Sequence, residues 1–390
     1  MLSDRIDILS ESITIAVSTL AQELRAAGKD VISFSAGEPD FDTPQVIKDT
    51  AIAAINDGFT KYTAVDGIPE LKMAIANKLK RDNGLEYAAN EIIVSNGAKH
   101  SLFNLFQTTI QTGDEVIIPA PYWVTYPELV KYSGGTVVEI ATDDNSGFKI
   151  TPEQLKNAIT PKSKMLILTT PSNPTGSIYS KEELTALGKV LEGTEIIVAS
   201  DEMYEKLIYD GEFTSAAAVS DDMYKRTITI NGLSKSVAMT GWRFGYIACK
   251  DTALVKAMKK LQSQSTSNIC SITQKAAITG LDGSADADVE MMRKAFSGRR
   301  DEAVALFNKI EGLSVLKPDG AFYLFVNISK IEKDSLAFSK KLLEEVGVAV
   351  VPGVGFGSEG YFRFSFATNM DTIREGIKRI ESFVQKNYQV

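Results

Sequence analysis

The sequence has very little histidine and cysteine. His100 is the single histidine among 390 residues, which excludes a Ser-His-Asp triad and a metal centre held by several histidines. We therefore expect no metal site. The two cysteines, Cys249 and Cys270, are too few for a disulfide framework in a chain of this length, which favours a reducing compartment.

The chain also lacks the sequence features of membrane and nucleic-acid-binding proteins. No apolar run approaches the roughly 18 residues of a transmembrane helix, and residues 1–7 do not have the basic-then-apolar order of a signal peptide. Forty-two basic and fifty acidic residues give a net charge of -8, which argues against nucleic acid or an anionic membrane as the main partner. We expect a cytoplasmic protein with neither partner.

From residue 91 onward, short β-branched runs alternate with helical stretches. The runs are residues 91–95, 115–119, 136–141, 164–169, 195–200, 226–230 and 244–249. Each is nearly continuous in apolar character, as expected of a strand covered on both faces. The alternation predicts an α/β fold with a mostly parallel, seven-stranded sheet between layers of helices.

The flanking segments have a different pattern. Helical periodicity is predicted up to about residue 27, over 45–58 and 69–83, and through a long region from 272 to 309. After it, strands are predicted at 312–316, 321–327, 348–351 and 361–367, around a helix at 334–346. We predict a large domain of residues 45–295 and a smaller α+β domain of residues 1–44 and 296–390.

Polar residues follow several of the predicted strands. In an open parallel sheet, ligands bind beyond the carboxyl ends of the strands. These ends are followed by Asn96–Ser101, Thr170–Gly176, Asp201–Tyr204 and Ser234–Lys235. Taken singly, each has a plain alternative: a glycine before a helix is usually only a cap, Asn-Pro-Thr-Gly is a turn signal, and an aspartate can cap the next helix. Their convergence on one sheet edge favours a ligand site.

Lys235 stands in a run of small and apolar residues, with Arg243 eight positions later. Burial lowers the pKa of a lysine, and a neutral amine is a nucleophile. A surface lysine in a loop is the ordinary alternative. A pyridoxal phosphate enzyme requires a phosphate-binding turn, an amine that forms an imine, an anion for the ring nitrogen and polar contacts for the ring hydroxyl. This sheet edge supplies all four.

The motifs of this edge resemble those of the class I aminotransferases of fold type I, in the branch that contains bacterial aspartate aminotransferases. The resemblance runs from about Ser33 to the C-terminus. It rests on Ser-Lys-Ser-Val-Ala-Met-Thr-Gly-Trp-Arg-Phe-Gly-Tyr, Pro-Ser-Asn-Pro-Thr-Gly and Ser-Asp-Glu-Met-Tyr-Glu, with support from Ala-Gly-Glu-Pro-Asp-Phe-Asp-Thr-Pro and Pro-Tyr-Trp-Val-Thr-Tyr. Pyridoxal 5'-phosphate is the cofactor that it implies.

The resemblance also implies roles for individual residues. Lys235 would form the internal aldimine and then act as general base and acid, while Asp201 would pair with the ring nitrogen. Tyr204 and Asn173 would bind the ring oxygen, and Trp123 would stack on the ring. The phosphate would be held by the Gly97 turn, with backbone N–H groups of Ala98 and Lys99, and by Ser234 and Arg243; Tyr62 would reach the phosphate of a second subunit, which implies a homodimer with shared active sites.

The remaining roles concern the substrate. Arg363 would bind the α-carboxylate, with Gly37, Trp123 and Asn173 also contacting the substrate. Without the resemblance, the favoured interpretation of Arg363 would be an arginine on a strand that faces solvent. Lys99 would recognise a distal carboxylate, since residues 261–274 contain no basic side chain. Gly232 stands where some relatives have a phosphate-binding serine, so one hydroxyl contact is missing. Ser12 and Thr14 could add polar contacts if the N-terminal segment closes over the site.

These roles imply reversible, ping-pong amino transfer from aspartate to 2-oxoglutarate. A related aminotransferase acting on aromatic, alanine or prephenate-type substrates would carry the same core motifs. A ligand-binding module without catalysis, like the aminotransferase-like half of some transcription regulators, is disfavoured because no DNA-binding domain precedes the fold and the net charge is acidic.

Overall fold

The computed structural model describes residues 2–388. Its strands are β1 Ile32–Ser33, β2 Ile92–Asn96, β3 Glu115–Ala120, β4 Thr136–Ala141, β5 Ser163–Thr169, β6 Ile197–Asp201, β7 Thr227–Gly232, β8 Phe244–Ala248, β9 Tyr323–Asn327, β10 Val348–Ala349, β11 Val351–Pro352 and β12 Tyr361–Ser365. Seven of them form one sheet in the order β2-β8-β7-β6-β5-β3-β4. β8 runs antiparallel to both of its neighbours, β2 and β7, and the other pairs of this sheet are parallel, so the predicted fold class is confirmed.

The helices pack on this sheet and around it. They are α1 Asp4–Asp7, α2 Ile13–Ala26, α3 Gln45–Asn56, α4 Pro69–Asn83, α5 Ala98–Thr109, α6 Thr125–Tyr132, α7 Pro152–Ala158, α8 Lys181–Leu191, α9 Asp221–Arg226, α10 Thr252–Ser263, α11 Ser271–Leu281, α12 Asp286–Phe307, α13 Ser335–Val346 and α14 Met370–Asn387. α4 begins at Pro69 as predicted, because proline at the first helical position has no N–H to leave unpaired.

Burial is most complete in two inner strands of the large sheet. Every residue of β7 and β8 is buried, as expected of strands covered on both faces. The two edge strands differ: β2 is buried at every position except Asn96, whereas in β4 only Ile140 is buried. The β-branched run of β4 therefore forms a strand although one side faces solvent.

Two smaller sheets lie near the C-terminal half. β9, β12 and β11 form an antiparallel sheet, and β1 pairs with β10 in a parallel pair. A large apolar cluster joins this small sheet to α12, α13 and α14. The N-terminal segment thus contributes β1 next to the C-terminal part, on the same side of the molecule as α13 and α14.

Several predicted elements were wrong in detail. The long helical region is two helices, α11 and α12, separated by residues 282–285. Residues 312–316 form no strand: Ser314 makes a single bridge to Asn327, because the segment crosses the end of β9 instead of running beside it. Residues 348–351 are divided between two sheets. The final helix was not predicted at all.

That final helix, α14, is amphipathic. Its buried residues recur at helical spacing: Ile373, Gly376, Ile377, Ile380, Phe383 and Val384. Asn369 caps its start by accepting a hydrogen bond from the backbone N–H of Thr372 at 2.9 Å. The helical spacing of apolar residues and the asparagine cap are both visible in the sequence, so this helix was predictable from it.

The predicted domain division stays a prediction. α12 runs from Asp286 to Phe307 and so crosses the proposed boundary at residue 295. Within residues 2–388, no helix is both long enough and apolar enough to span a bilayer.

Candidate active site

A cavity with a volume of about 570 Å³ lies at the carboxyl ends of β5, β6 and β7. Its walls come from loops of the large sheet, from the N-terminal segment and from β9 and β12. Among its lining residues are these predicted site residues: Gly37, Ala98, Lys99, Trp123, Asn173, Asp201, Tyr204, Ser234, Lys235, Arg243 and Arg363. The expectation that they converge on one edge of the sheet is confirmed.

Three of the predicted residues lie outside the cavity wall or at its margin. Gly97 immediately precedes the lining residue Ala98. Tyr62 is 91% exposed and does not line the cavity of its own chain. Thr14 of α2 lines the cavity, whereas Ser12 does not.

Lys235 follows β7 and points into the cavity. Its Nζ donates a hydrogen bond to the carbonyl oxygen of Gly37, which holds the amine against the N-terminal segment. Burial, followed by the positive charge of Arg363, lowers the pKa of Lys235 from the usual 10.5 to about 8. The neutral amine, which is the form that attacks an aldehyde carbon, is therefore far more populated near physiological pH than in an ordinary lysine.

Asp201 ends β6 and is buried beside the same cavity. Its Oδ2 accepts a hydrogen bond from Tyr126 Oη at 2.7 Å, and its Oδ1 accepts one from the backbone N–H of Met203 at 3.2 Å. Burial raises the pKa of Asp201 against the opposing effect of these bonds. A buried carboxylate in this position is stabilised by a cation placed in the cavity, such as a protonated ring nitrogen.

The start of α5 forms a close-fitting backbone turn. Gly97 has φ of 87°, and a Cβ there would lie 2.6 Å from Arg243 Nη2. On the neighbouring strand, a Cβ on Gly245 would overlap the backbone nitrogen of Ala98. The two glycines therefore let the helix start, β8 and the Arg243 guanidinium meet, which places N–H donors and a cation together as phosphate binding requires.

Lys99 and Trp123 lie beside each other at the mouth of the cavity. The Lys99 ammonium is 4.9 Å from the centre of the Trp123 ring. Partial burial, with the nearby charge of Arg243, lowers the pKa of Lys99. No acidic side chain is among the causes of that shift, so the ammonium is available to an anionic ligand.

Arg363 is the most deeply buried charge of the site, at 2% exposure. Its Nη1 donates to Asn173 Oδ1 at 3.0 Å, and its Nη2 donates to the Ser35 carbonyl oxygen at 2.7 Å. Nε has no hydrogen-bond partner in the described part of the chain. Burial lowers the pKa of Arg363, and no carboxylate offsets it. The solvent-facing alternative is wrong, and the guanidinium suits a ligand carboxylate.

Sequence reasoning missed several residues of the wall. Tyr126 holds Asp201, and Tyr323 contacts both Tyr204 and Arg363. Glu38 accepts a hydrogen bond from Thr240 Oγ1 at 3.0 Å. Tyr126 could have been found, because it follows Trp123 by three positions at a helix start and so shares its face. Tyr323 gave no signal, because it stands in an ordinary apolar strand.

The residues present fit pyridoxal phosphate. The turn at Gly97 offers backbone N–H donors for a phosphate. Asp201 is a buried anion, and Lys235 in the same cavity is an amine whose pKa is lowered. The unpartnered Nε of Arg363 adds a site for a second, carboxylate-bearing molecule. These donors line one cavity of about 570 Å³, within the size range of small-molecule sites.

Comparison with known proteins decides the family. The pattern of "aminotransferase class I and II" matches residues 29–380. This chain belongs to the class I and II aminotransferases. An aspartate aminotransferase of Bacillus subtilis (strain 168) is 50% identical over 392 aligned residues, covering 99% of both chains.

Two further proteins extend the comparison. An aspartate/prephenate aminotransferase of Cereibacter sphaeroides is 49% identical, with 98% of both chains covered. A solved aspartate aminotransferase from Thermus thermophilus with maleate superimposes with a TM-score of 0.94 at 43% identity, covering 98% of this chain and 99% of that one. The present aminotransferase is therefore an enzyme of the pyridoxal phosphate-dependent group, with the fold of its relatives.

Proposed function

We propose that this aminotransferase catalyses reversible transfer of the amino group of aspartate to 2-oxoglutarate, giving oxaloacetate and glutamate by a ping-pong route. The names of the relatives from Bacillus subtilis and Thermus thermophilus support aspartate as the donor. The single structural observation that carries the proposal is that buried Arg363 and Lys99 line the same cavity and are not needed for the imine. Of the other cations in its wall, Lys235 and Arg243 are assigned to the cofactor, and Arg25 donates to the carbonyl oxygen of Val31. Two cations suit a substrate with two carboxylates.

Each cation has a separate task in this proposal. Arg363 binds the α-carboxylate that every amino acid carries, and Asn173 fixes the guanidinium from the opposite wall. Lys99 binds the distal carboxylate, so it selects aspartate and glutamate. Gly37 contributes a backbone contact on the α-carboxylate side, and Trp123 forms the wall beside Lys99.

The remaining side chains hold the cofactor and move the proton. Pyridoxal phosphate, when bound, supplies an aldehyde carbon for amines and a ring that withdraws electrons from the substrate α-carbon. Its phosphate suits Gly97, Ala98, Lys99, Ser234 and Arg243; its ring nitrogen suits Asp201, and its ring oxygen suits Asn173 and Tyr204. The Lys235 amine takes the proton from the α-carbon as general base and returns it as general acid.

A second candidate is transamination of prephenate-type substrates, which the name of the Cereibacter sphaeroides relative favours. Aromatic or alanine donors remain further alternatives within the same family. Aspartate, glutamate, alanine and phenylalanine are compared as amino donors, and 2-oxoglutarate and prephenate are compared as oxo acid acceptors with aspartate as the donor, all at equal concentration with pyridoxal phosphate present. The proposal expects the largest kcat/KM for aspartate or glutamate among the donors and for 2-oxoglutarate between the acceptors; a larger value for alanine or phenylalanine, or for prephenate, would overturn it.

The assembly belongs to the same proposal: a cytoplasmic homodimer with shared active sites. Tyr62 supports it, because a tyrosine with 91% exposure is unusual in a folded chain unless a partner covers it. In the dimer its hydroxyl would reach the phosphate held by the partner subunit. Sedimentation equilibrium tests the state directly, and a monomer at micromolar concentration would contradict it. The free cysteines Cys249 and Cys270 are consistent with a reducing compartment.

A further inference from the structure

Tyr323 belongs to the wall of the site but has no task in the proposed reaction. It is the first residue of β9, pairs with Ser365 of β12 and is 1% exposed. It also lines the cavity. Its side chain meets Tyr204 on the cofactor side and Arg363 on the substrate side. One residue therefore joins the two halves of the site.

The hydroxyl of Tyr323 forms a hydrogen bond with the hydroxyl of Tyr204. The two oxygen atoms lie 2.9 Å apart, both buried. When Tyr204 donates its proton to an anionic ring oxygen, Tyr323 can donate its own proton to Tyr204, and hydrogen bonds in such a chain strengthen one another. The same hydroxyl lies close to Gly37, where a Cβ would come within 2.9 Å of it. Gly37 also accepts the hydrogen bond from Lys235.

The ring of Tyr323 supports the guanidinium of Arg363. The guanidinium carbon lies 4.4 Å from the ring centre, closer than its 5.2 Å from the Phe356 ring. Arg363 is buried, and no carboxylate is among the causes that shift its pKa. The negative face of an aromatic ring compensates part of the cost of burying such a cation, and the effect is largest where water is excluded.

We propose that Tyr323 is a positioning residue with two separable actions: its hydroxyl orients the Tyr204 hydroxyl towards the cofactor ring oxygen, and its ring holds Arg363 in the plane that binds the α-carboxylate. This inference rests on the proposed function, because it takes from it the partners of Tyr204 and Arg363. The two actions use different parts of one side chain, so two substitutions separate them.

Tyr323→Phe removes the hydroxyl and keeps the ring. The measurement is a pH titration of the absorption band of the imine between Lys235 and pyridoxal phosphate. Weakening the hydrogen bond to the ring oxygen disfavours the unprotonated imine, so its pKa rises, by about half a unit. The rise disappears when Tyr204→Phe is already present, because the chain of hydroxyls is then broken. No change on Tyr323→Phe, or an equal change in the Tyr204→Phe background, would overturn this action.

Tyr323→Leu removes the ring as well. The measurement is the dissociation constant of succinate, which has two carboxylates and no amine, determined by calorimetry with the cofactor-loaded enzyme. Succinate binds about 10-fold more weakly to Tyr323→Leu than to Tyr323→Phe, which stays within about 2-fold of wild type. Equal constants for the two variants would overturn the action on Arg363. If Tyr323→Leu does not fold, Tyr323→Met gives the same comparison with an unbranched side chain.

Tyr361→Phe is the matched control. Tyr361 is a buried tyrosine of the same small sheet, outside the cavity wall, with its hydroxyl 3.3 Å from Asn327 Nδ2. We expect neither the imine pKa nor the succinate constant to move; a change as large as that of Tyr323→Phe would show a merely structural effect and overturn the inference. Wild-type enzyme that forms no imine band would overturn the proposed function itself, whereas a normal band with unchanged variants would overturn the inference alone.

Discussion

Arg363 Nη1 donates a hydrogen bond to Asn173 Oδ1 at 3.0 Å, which joins the small sheet to the loop that follows β5. Arg363 thereby lies between a residue proposed to contact the cofactor and the place where a substrate carboxylate would bind. Its Nε is left unpartnered in the described part of the chain. This arrangement suits a cation that completes its hydrogen bonds only when substrate arrives.

Replacing Arg363 should lower kcat/KM for all amino donors by a similar factor. Arg363→Gln removes the charge but keeps a polar side chain of related length, so kcat/KM should fall by about 100-fold or more for both aspartate and alanine. The ratio between the two donors should stay within a few-fold, because the α-carboxylate is common to them. Steady-state kinetics with both donors checks this, and a loss confined to aspartate would contradict the assignment.

Replacing Lys99 should act on dicarboxylic donors. Lys99→Ser should lower kcat/KM about 10-fold or more for aspartate and glutamate, since one charge-assisted hydrogen bond is lost, and leave alanine within a few-fold. Because the backbone N–H of Lys99 is also proposed to bind the cofactor phosphate, the assay is run with saturating pyridoxal phosphate. Equal losses for aspartate and alanine would remove Lys99 from substrate recognition.

Replacing Lys235 should abolish function and stabilise the cofactor-free protein. Lys235→Met cannot form an imine, so the absorption band and turnover disappear. The pKa of Lys235 is lowered from 10.5 to about 8 in the folded chain, so the buried ammonium costs stability below pH 8, and the cost falls as pH rises from 8 towards 10.5. We expect Lys235→Met to gain about 1–3 kcal/mol at pH 7.

The pH dependence supplies the control for that prediction. Urea unfolding of both cofactor-free proteins at pH 7 and pH 10 should show the advantage of Lys235→Met shrinking at the higher pH. An advantage that is constant or grows with pH would mean that Lys235 is not destabilised by burial of its charge.

The backbone at the start of α5 should not tolerate a side chain at the neighbouring position Gly245 of β8. Gly245→Ala would push a methyl group into the backbone of Ala98, which cannot yield without moving the proposed phosphate donors. We expect the affinity for pyridoxal phosphate to fall about 10-fold or more, measured by fluorescence titration of cofactor-free enzyme. Gly241→Ala is the control, because a Cβ there has nothing within 4 Å; similar losses in both variants would contradict this reading.

The sequence predicted the large sheet and most of the cavity wall because both depend on local signals. Strands β5 to β8 are rich in apolar and β-branched residues, and polar motifs such as Asn173-Pro174 and Ser234-Lys235 follow within a few residues of strand ends, where the topology brings them together. Alternation along β12 places Arg363 and Ser365 on the face opposite the phenylalanines, but the role of Arg363 needed the family resemblance, because an arginine on one face of a strand does not by itself show what it binds.

What the sequence did not predict depends on contacts between distant segments. The link of Tyr323 to Tyr204 joins residues 119 positions apart and that of Lys235 to Gly37 joins residues 198 apart. The division of residues 348–351 between two sheets likewise depends on which neighbours are present, β1 for one half and β12 for the other. Tertiary packing decides such details over local preference.

Amino transfer from aspartate is tested most directly by a single half-reaction. Purified, cofactor-loaded enzyme is mixed with aspartate in the absence of any 2-oxo acid, and oxaloacetate is counted against active sites. We expect loss of the imine band with one equivalent of oxaloacetate per site, and return of the band with one equivalent of glutamate when 2-oxoglutarate is added. An imine band that aspartate leaves unchanged, with no oxaloacetate released, would contradict amino transfer from aspartate.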